Sequence, residues 1–175
     1  KSRGKIKNGM RDGKWVLWSG KNKSRINYKD GKIDGKWTEW YENGNKKEET
    51  DFKDGKIDGY WIYWYEDGQK YKVEDWKDDT LDGRITKWHQ NGQLMARGNY
   101  KDSMRDGNWI FWHQNGLKDY DINFKDGKKD GEFMSWNAAG KTIWKLVFKD
   151  DRCVVHSSSA YTGGCAGWIV ANPEN

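Results

Sequence analysis

The sequence predicts an all-β chain: an elongated, twisted antiparallel sheet of successive β-hairpins with a C-terminal capping segment. One unit recurs six times, opened by Asp-Gly steps at Asp12, Asp34, Asp58, Asp82, Asp106 and Asp130. Their spacing is 22 residues once and 24 thereafter, and self-similarity at a fixed period marks a repeat array. Apolar residues within each unit alternate at strand spacing. Glycine-containing turns punctuate every unit and break any long helical window.

Composition agrees with a thin structure that has no thick centre. Hydrophobic and charged residues each make up 34% of the 175 residues, and the only proline is Pro173. Thirteen Trp, nine Tyr and five Phe concentrate the apolar surface in few large side chains, each able to remove on the order of 150–250 Å² from water. The net charge of +5 comes from 32 basic and 27 acidic residues interleaved along the chain. Interleaving argues against nucleic-acid binding, which clusters Lys and Arg on one face. No apolar run reaches the roughly 20 residues of a membrane-spanning helix, so no integral membrane segment is expected.

The chain opens in mid-repeat, because residues 3–13 follow the plan of residues 97–107. Each full unit then reads as two strands. The first, residues 36–41 for example, is rich in β-branched and aromatic residues. It ends at Asn43-Gly44, Asp67-Gly68, Asn91-Gly92 or Asn115-Gly116, pairs expected to supply the positive φ angles of a tight hairpin. The second strand runs to an aromatic residue (Tyr28, Phe52, Trp76, Tyr100, Phe124, Phe148) that precedes a Lys-Asp step and a turn. The first unit is two residues short between Trp18 and Gly20, at a turn, where a repeat tolerates deletion.

Alternation sorts the first strands into two faces. One carries Val16, Thr38, Ile62, Thr86, Ile110 and Met134 with a tryptophan found in all six units: Trp18, Trp40, Trp64, Trp88, Trp112 and Trp136. Its constancy predicts that this face forms the core. The other face varies from unit to unit, as expected where a repeat protein reads a partner.

The stretch "DGKWTEWYENGNKKEETDFKDGKIDG" and its five relatives resemble the MORN repeat superfamily, closest to the bacterial variant of the YwqK-type antitoxin family. The resemblance covers roughly residues 3–150. It implies a sheet of successive hairpins used for binding proteins or lipids and not for catalysis. Departures from the plan are Ile85 and Phe133 in place of the first Trp, and Asp79 and Ser103 in place of the turn glycine.

The variable face supplies the candidate partner-binding residues Trp37, Tyr41, Trp61, Tyr63, Tyr65, His89, Trp109, Phe111 and His113. A protein partner is the primary expectation. A glycan partner and self-association through open sheet edges are the alternatives. His89 and His113 occupy equivalent slots, but two histidines without a third ligand make a poor zinc site. Asp-Gly-Lys-Ile-Asp-Gly lacks the ligand density of a calcium loop. No metal, cofactor or catalytic site is expected, and no enzyme.

After Asp150 the composition changes, so residues 1–150 are read as the array and 151–175 as its cap. Residues 153–155 and 168–170 are expected to form one or two closing strands, and Cys153 and Cys165 a disulfide across the cap. His156 beside Ser157, Ser158 and Ser159 has no nucleophile elbow to support catalysis. A start at Lys1 without an initiator Met, together with the expected disulfide, leans towards a secreted or cell-envelope protein.

Overall fold

The computed structural model describes residues 1–154. Every regular element among them is a strand. β1 (Ser2–Lys7) pairs with β2 (Met10–Ser19), which turns back into β3 (Asn22–Lys29). The second unit holds β4 (Lys32–Ile33), β5 (Gly35–Trp40) and β6 (Lys46–Lys53). The third holds β7 (Lys56–Ile57), β8 (Gly59–Trp64) and β9 (Lys70–Lys77). Longer strands follow in pairs: β10 (Thr80–Trp88) with β11 (Leu94–Lys101), β12 (Met104–Trp112) with β13 (Lys118–Lys125), and β14 (Lys128–Trp136) with β15 (Thr142–Lys149). β16 (Arg152–Val154) adds to the edge of β15.

All pairings are antiparallel and follow chain order in one open sheet, with β4 and β7 as short pieces paired to β3 and β6. At about 4.8 Å per strand, its hydrogen-bonded path extends roughly 60 Å from edge to edge. Closing strands expected at 168–170, the Ser-His run and Cys165 with its expected disulfide lie outside the described residues. Cys153 is half-buried against the C-terminal end of the core.

The turns differ from the sequence expectation in an instructive way. At Asn43-Gly44 only the glycine has a positive φ, and the Gly44 amide donates to the Tyr41 carbonyl (3.0 Å). That is a type I turn with a glycine bulge. The paired positive φ angles belong to the Lys-Asp-Gly turns: Asp30 and Gly31, Asp54 and Gly55, Asp126 and Gly127. Where glycine is replaced there, Asp79, Ser103 and Asp151 still take positive φ. Each side chain accepts a backbone N–H from the preceding unit: Ile57 to Asp79 Oδ1 (2.7 Å), Leu81 to Ser103 Oγ (3.3 Å) and Lys129 to Asp151 Oδ1 (2.8 Å). A hydrogen bond to the neighbouring unit therefore helps offset the strain of a non-glycine residue in this region.

The structure reverses the expected faces. Every buried hydrophobic side chain among the described residues lies on the face predicted to vary, including Trp15, Ile85, Trp109 and Phe133. The aromatics before Lys-Asp share it, with Tyr28, Phe124 and Phe148 buried. The constant tryptophans stand on the outer face, where Trp18 is 39% exposed and the other five are half-buried. They are sheltered by cations from a neighbouring strand: Lys23 and Arg25 over Trp40, Lys46 over Trp64 and Lys118 over Trp136, all 5.3–5.5 Å from the ring centroid. One aromatic layer plus a flanking cation covers a single sheet from outside.

What sits beneath each inner first-strand residue decides how deep it goes. Eleven positions before it, on the facing strand, stands Gly4 for Trp15, Ile26 for Trp37, Thr50 for Trp61, Glu74 for Ile85, Gly98 for Trp109 and Ile122 for Phe133. The indoles of Trp15 and Trp109 lie flat over their glycines, so that a Cβ at Gly4 or Gly98 would collide with the ring. Each indole N–H then reaches a backbone carbonyl beyond, Trp15 to Lys5 (3.1 Å) and Trp109 to Asn99 (3.0 Å). Over a larger residue the side chain is either smaller, as Ile85 and Phe133, or half-buried, as Trp37 and Trp61.

Gly98→Ala is expected to lower stability by about 1–3 kcal/mol through overpacking, read by thermal or urea denaturation. No left-handed φ is at stake there. Unchanged stability would mean that Trp109 does not use Gly98 as its seat.

Candidate functional site

The inner face has three parts. Trp15, Ile26 and Tyr28 form a buried cluster at the N-terminal end, supported by Leu17, Ile33 and Trp37. Ile85, Trp109, Ile122, Phe124, Phe133, Leu146 and Phe148 form a larger one towards the C-terminal end. Between them, on β5 to β9, the buried side chains of this face are Thr50 and Glu74. Here the wall is half-open.

This middle segment brings together three of the residues singled out from sequence. Trp37 and Trp61 meet edge to face at 6.2 Å and 83°, and Tyr63 stacks on Trp61 at 5.4 Å and 8°. Charged side chains surround them. The Trp61 indole N–H donates to Glu48 Oε2 (3.2 Å), and Lys47 pairs with Glu39 (3.2 Å). Lys72 pairs with Glu74 (3.0 Å) while its ammonium lies 4.0 Å from the Tyr63 ring centroid.

Burial, reinforced by the Glu74 and Glu48 carboxylates, pushes the Tyr63 phenol well above its usual range. Burial and then the Lys72 ammonium hold Lys87 below the usual lysine value. The surface therefore presents an un-ionised phenol, two indoles and a mixed set of charges. Glu48, Lys72 and Glu74 belong to it, and sequence reading missed them because it followed the first strands alone. Their signal is the same alternation on the second strands, carried across the pairs Glu39 with Glu48, Tyr63 with Lys72 and Trp61 with Glu74.

The other predicted residues lie elsewhere and do structural work. Trp109 is 2% exposed, and Phe111 stacks on Tyr120 at 4.1 Å. Tyr41, Tyr65, His89 and His113 make one ladder, each reaching the backbone carbonyl of the constant tryptophan in the next unit. The distances are 2.7 Å to Trp64, 2.8 Å to Trp88, 2.8 Å to Trp112 and 2.9 Å to Trp136. A phenol O–H and an imidazole Nε2–H can both donate from this slot, which accounts for two Tyr followed by two His there. Beside it, the side-chain amides of Asn43, Asn91 and Asn115 reach the carbonyls of Glu66, Gln114 and Ala138 at 2.6–2.7 Å.

On the outer face, a groove of about 440 Å³ runs beside Trp40, with Lys14, Arg25, Lys36, Lys46 and Glu49 among its walls. Glu49 is held by Lys36 (3.0 Å) and Lys46 (2.6 Å). Hydrogen bonding to Glu49 raises the Lys36 ammonium above its ordinary value despite partial burial. Among the described residues no group of three His, Cys, Asp or Glu is placed to hold a metal ion, and no helix is long and apolar enough to cross a membrane.

The MORN repeat variant family matches residues 33–54 and 81–102. Both matches span the turn-to-turn course of one hairpin unit. They support a MORN-type repeat protein, in keeping with the open sheet of successive hairpins. No curated protein matches the chain significantly. MORN repeats suggest a repeat module of a kind that often mediates binding.

His89→Tyr is expected to preserve stability, and His89→Phe to cost about 0.5–1.5 kcal/mol, the worth of one hydrogen bond. Denaturant titration of the two variants checks this. Equal losses would mean that the carbonyl ladder is incidental.

Proposed function

We propose that this chain is a non-enzymatic recognition module that binds a protein partner through the middle of its inner face, centred on Trp37, Trp61 and Tyr63. The observation that carries this reading is the contrast along one face. The same row of residues is sealed at both ends and half-open over β5 to β9, where large aromatics stand among charged groups. Tryptophan and tyrosine surrounded by a polar rim is the composition of interface hot spots. A partner that covers these rings completes the burial that the rest of the face achieves by itself. An antitoxin-like role, in which the array blocks a cognate toxin, is one form such recognition takes, as is scaffolding. The 1–150 array supplies the binding face in this reading, with the segment after it as a cap.

Affinity capture from the native source, with Trp61→Ala/Tyr63→Ala as control bait, tests the proposal. The expected result is one stoichiometric protein retained by the native chain and lost from the variant, whose thermal unfolding stays cooperative. Equal retention by both baits would place recognition elsewhere.

A further inference from the structure

The outer groove beside Trp40 owes its shape to one short side chain. Two residues before each constant tryptophan, the first strands carry Val16, Ile62, Ile110 and Met134, but Thr38 and Thr86 in the remaining units. Across the ladder, Thr38 stands directly between Arg25 on β3 and Glu49 on β6. A short residue between two long ones leaves a trough. Buried Thr38 is its floor, and Trp40 and Lys36 stand two positions to either side along the same strand. Thr86 has only one such long neighbour, Arg97, with Val73 on its other side.

The trough is short of negative charge. Lys14, Arg25, Lys36 and Lys46 line it against a single carboxylate, Glu49. Glu49 is already engaged: Lys36 (3.0 Å) and Lys46 (2.6 Å) pair with it, and the Thr38 hydroxyl donates to it (3.4 Å). Lys14 and Arg25 are exposed, and neither has an ion-pair partner among the described residues. The Arg25 guanidinium lies 5.4 Å from the Trp40 ring centroid, so an unpaired cation and an indole meet in the same wall. Such a concentration of one sign of charge in a concave site favours an anionic ligand.

The surface beside the trough narrows the kind of anion. Trp18 faces Lys23, Lys23 faces Trp40, Trp40 faces Lys46, and Trp64 faces Lys70 across neighbouring strands. Successive indoles in this row are two strands apart, about 10 Å. Rings and ammonium groups thus alternate along a line that passes the trough. From this we infer that the outer face binds a linear acidic polysaccharide, with one uronate residue seated in the trough between Trp40 and Lys36. The apolar face of a sugar ring packs on an indole, its hydroxyls meet Glu49 and Thr38, and its carboxylate pairs with Arg25, whose planar fork suits that group. An acidic peptide would satisfy the cations but brings no ring faces to the indoles. This site lies on the side of the sheet opposite the Trp37 and Trp61 surface and does not depend on the reading of that surface.

The test is calorimetric titration of the whole chain with a β-1,4-linked hexamannuronate at about 0.15 M salt, where exposed charges are largely screened. Cellohexaose, neutral with the same linkage, and hexaglutamate, acidic without sugar rings, are the comparisons. Saturable binding is expected with the hexamannuronate alone. Arg25→Gln should weaken it about tenfold. Thr38→Ile, which installs the residue found at Ile62 and Ile110 and leaves every charge in place, should abolish it while thermal unfolding stays cooperative. Equal binding of hexaglutamate would replace the glycan by an acidic peptide and overturn the inference. So would equal binding of cellohexaose, absence of saturable binding, or binding indifferent to both substitutions.

Discussion

The inner face depends on one steric relation: the size of the residue beneath each first-strand aromatic. Glycine lets an indole lie flat across the neighbouring strand, bury its ring and send its N–H to a backbone carbonyl, as Trp15 and Trp109 do over Gly4 and Gly98. Burying such a ring contributes about 1.5–3 kcal/mol, a large share for a sheet with no second layer. Ile26 and Thr50 deny that seat to Trp37 and Trp61, which are half-buried. Arg11 and Arg105, each four positions before a seated indole and beside its ring, are replaced by Ile33 and Ile57 at those same two units. Two substitutions per unit, one below the ring and one beside it, accompany the change from a buried to a half-buried position. A repeat array can place an open patch anywhere along its length in this way, because each unit contacts only its neighbours.

Buried and half-buried aromatics are thus divided along the inner face, and the proposed recognition surface falls on the half-buried middle. The end clusters hold the twist and register. The middle is kept in line by backbone bonds at both margins of the sheet. On one margin the turns hand an N–H to the previous unit, such as Gly55 to the Ile33 carbonyl (2.8 Å) and Asp79 to the Ile57 carbonyl (3.0 Å). On the other, the Tyr and His ladder reaches forward to the constant tryptophans. Those tryptophans share one place in the scaffold: cations lie over Trp40, Trp64 and Trp136, and the carbonyls of Trp64, Trp88, Trp112 and Trp136 accept the ladder.

That constancy explains both what the sequence disclosed and where it misled. The repeat length, the hairpins and the all-β sheet were legible because each is written locally, in turn residues and alternation. The identity of the core face was not. Constancy at Trp40 or Trp64 suggested a core, whereas here it marks a uniform outer support. The core face varies because it is built by matched pairs, Trp with Gly, Ile85 with Glu74, Phe133 with Ile122, and matched pairs change together. The signal was present eleven residues before each aromatic, but it becomes meaningful only once the strand register is known. Likewise Tyr41 and His89 looked like surface groups because side-chain type alone does not reveal a carbonyl waiting in the next unit.

The central claim is that two inner tryptophans are half-buried while two others of the same sequence role are buried. Hydroxyl-radical footprinting with mass spectrometry measures this directly, residue by residue, on the native chain. The account predicts that Trp37 and Trp61 are modified and that Trp15 and Trp109 are protected until the protein unfolds. Modification of Trp109 at the rate of Trp61 would contradict it, because the glycine seat would then not decide which part of the face is open.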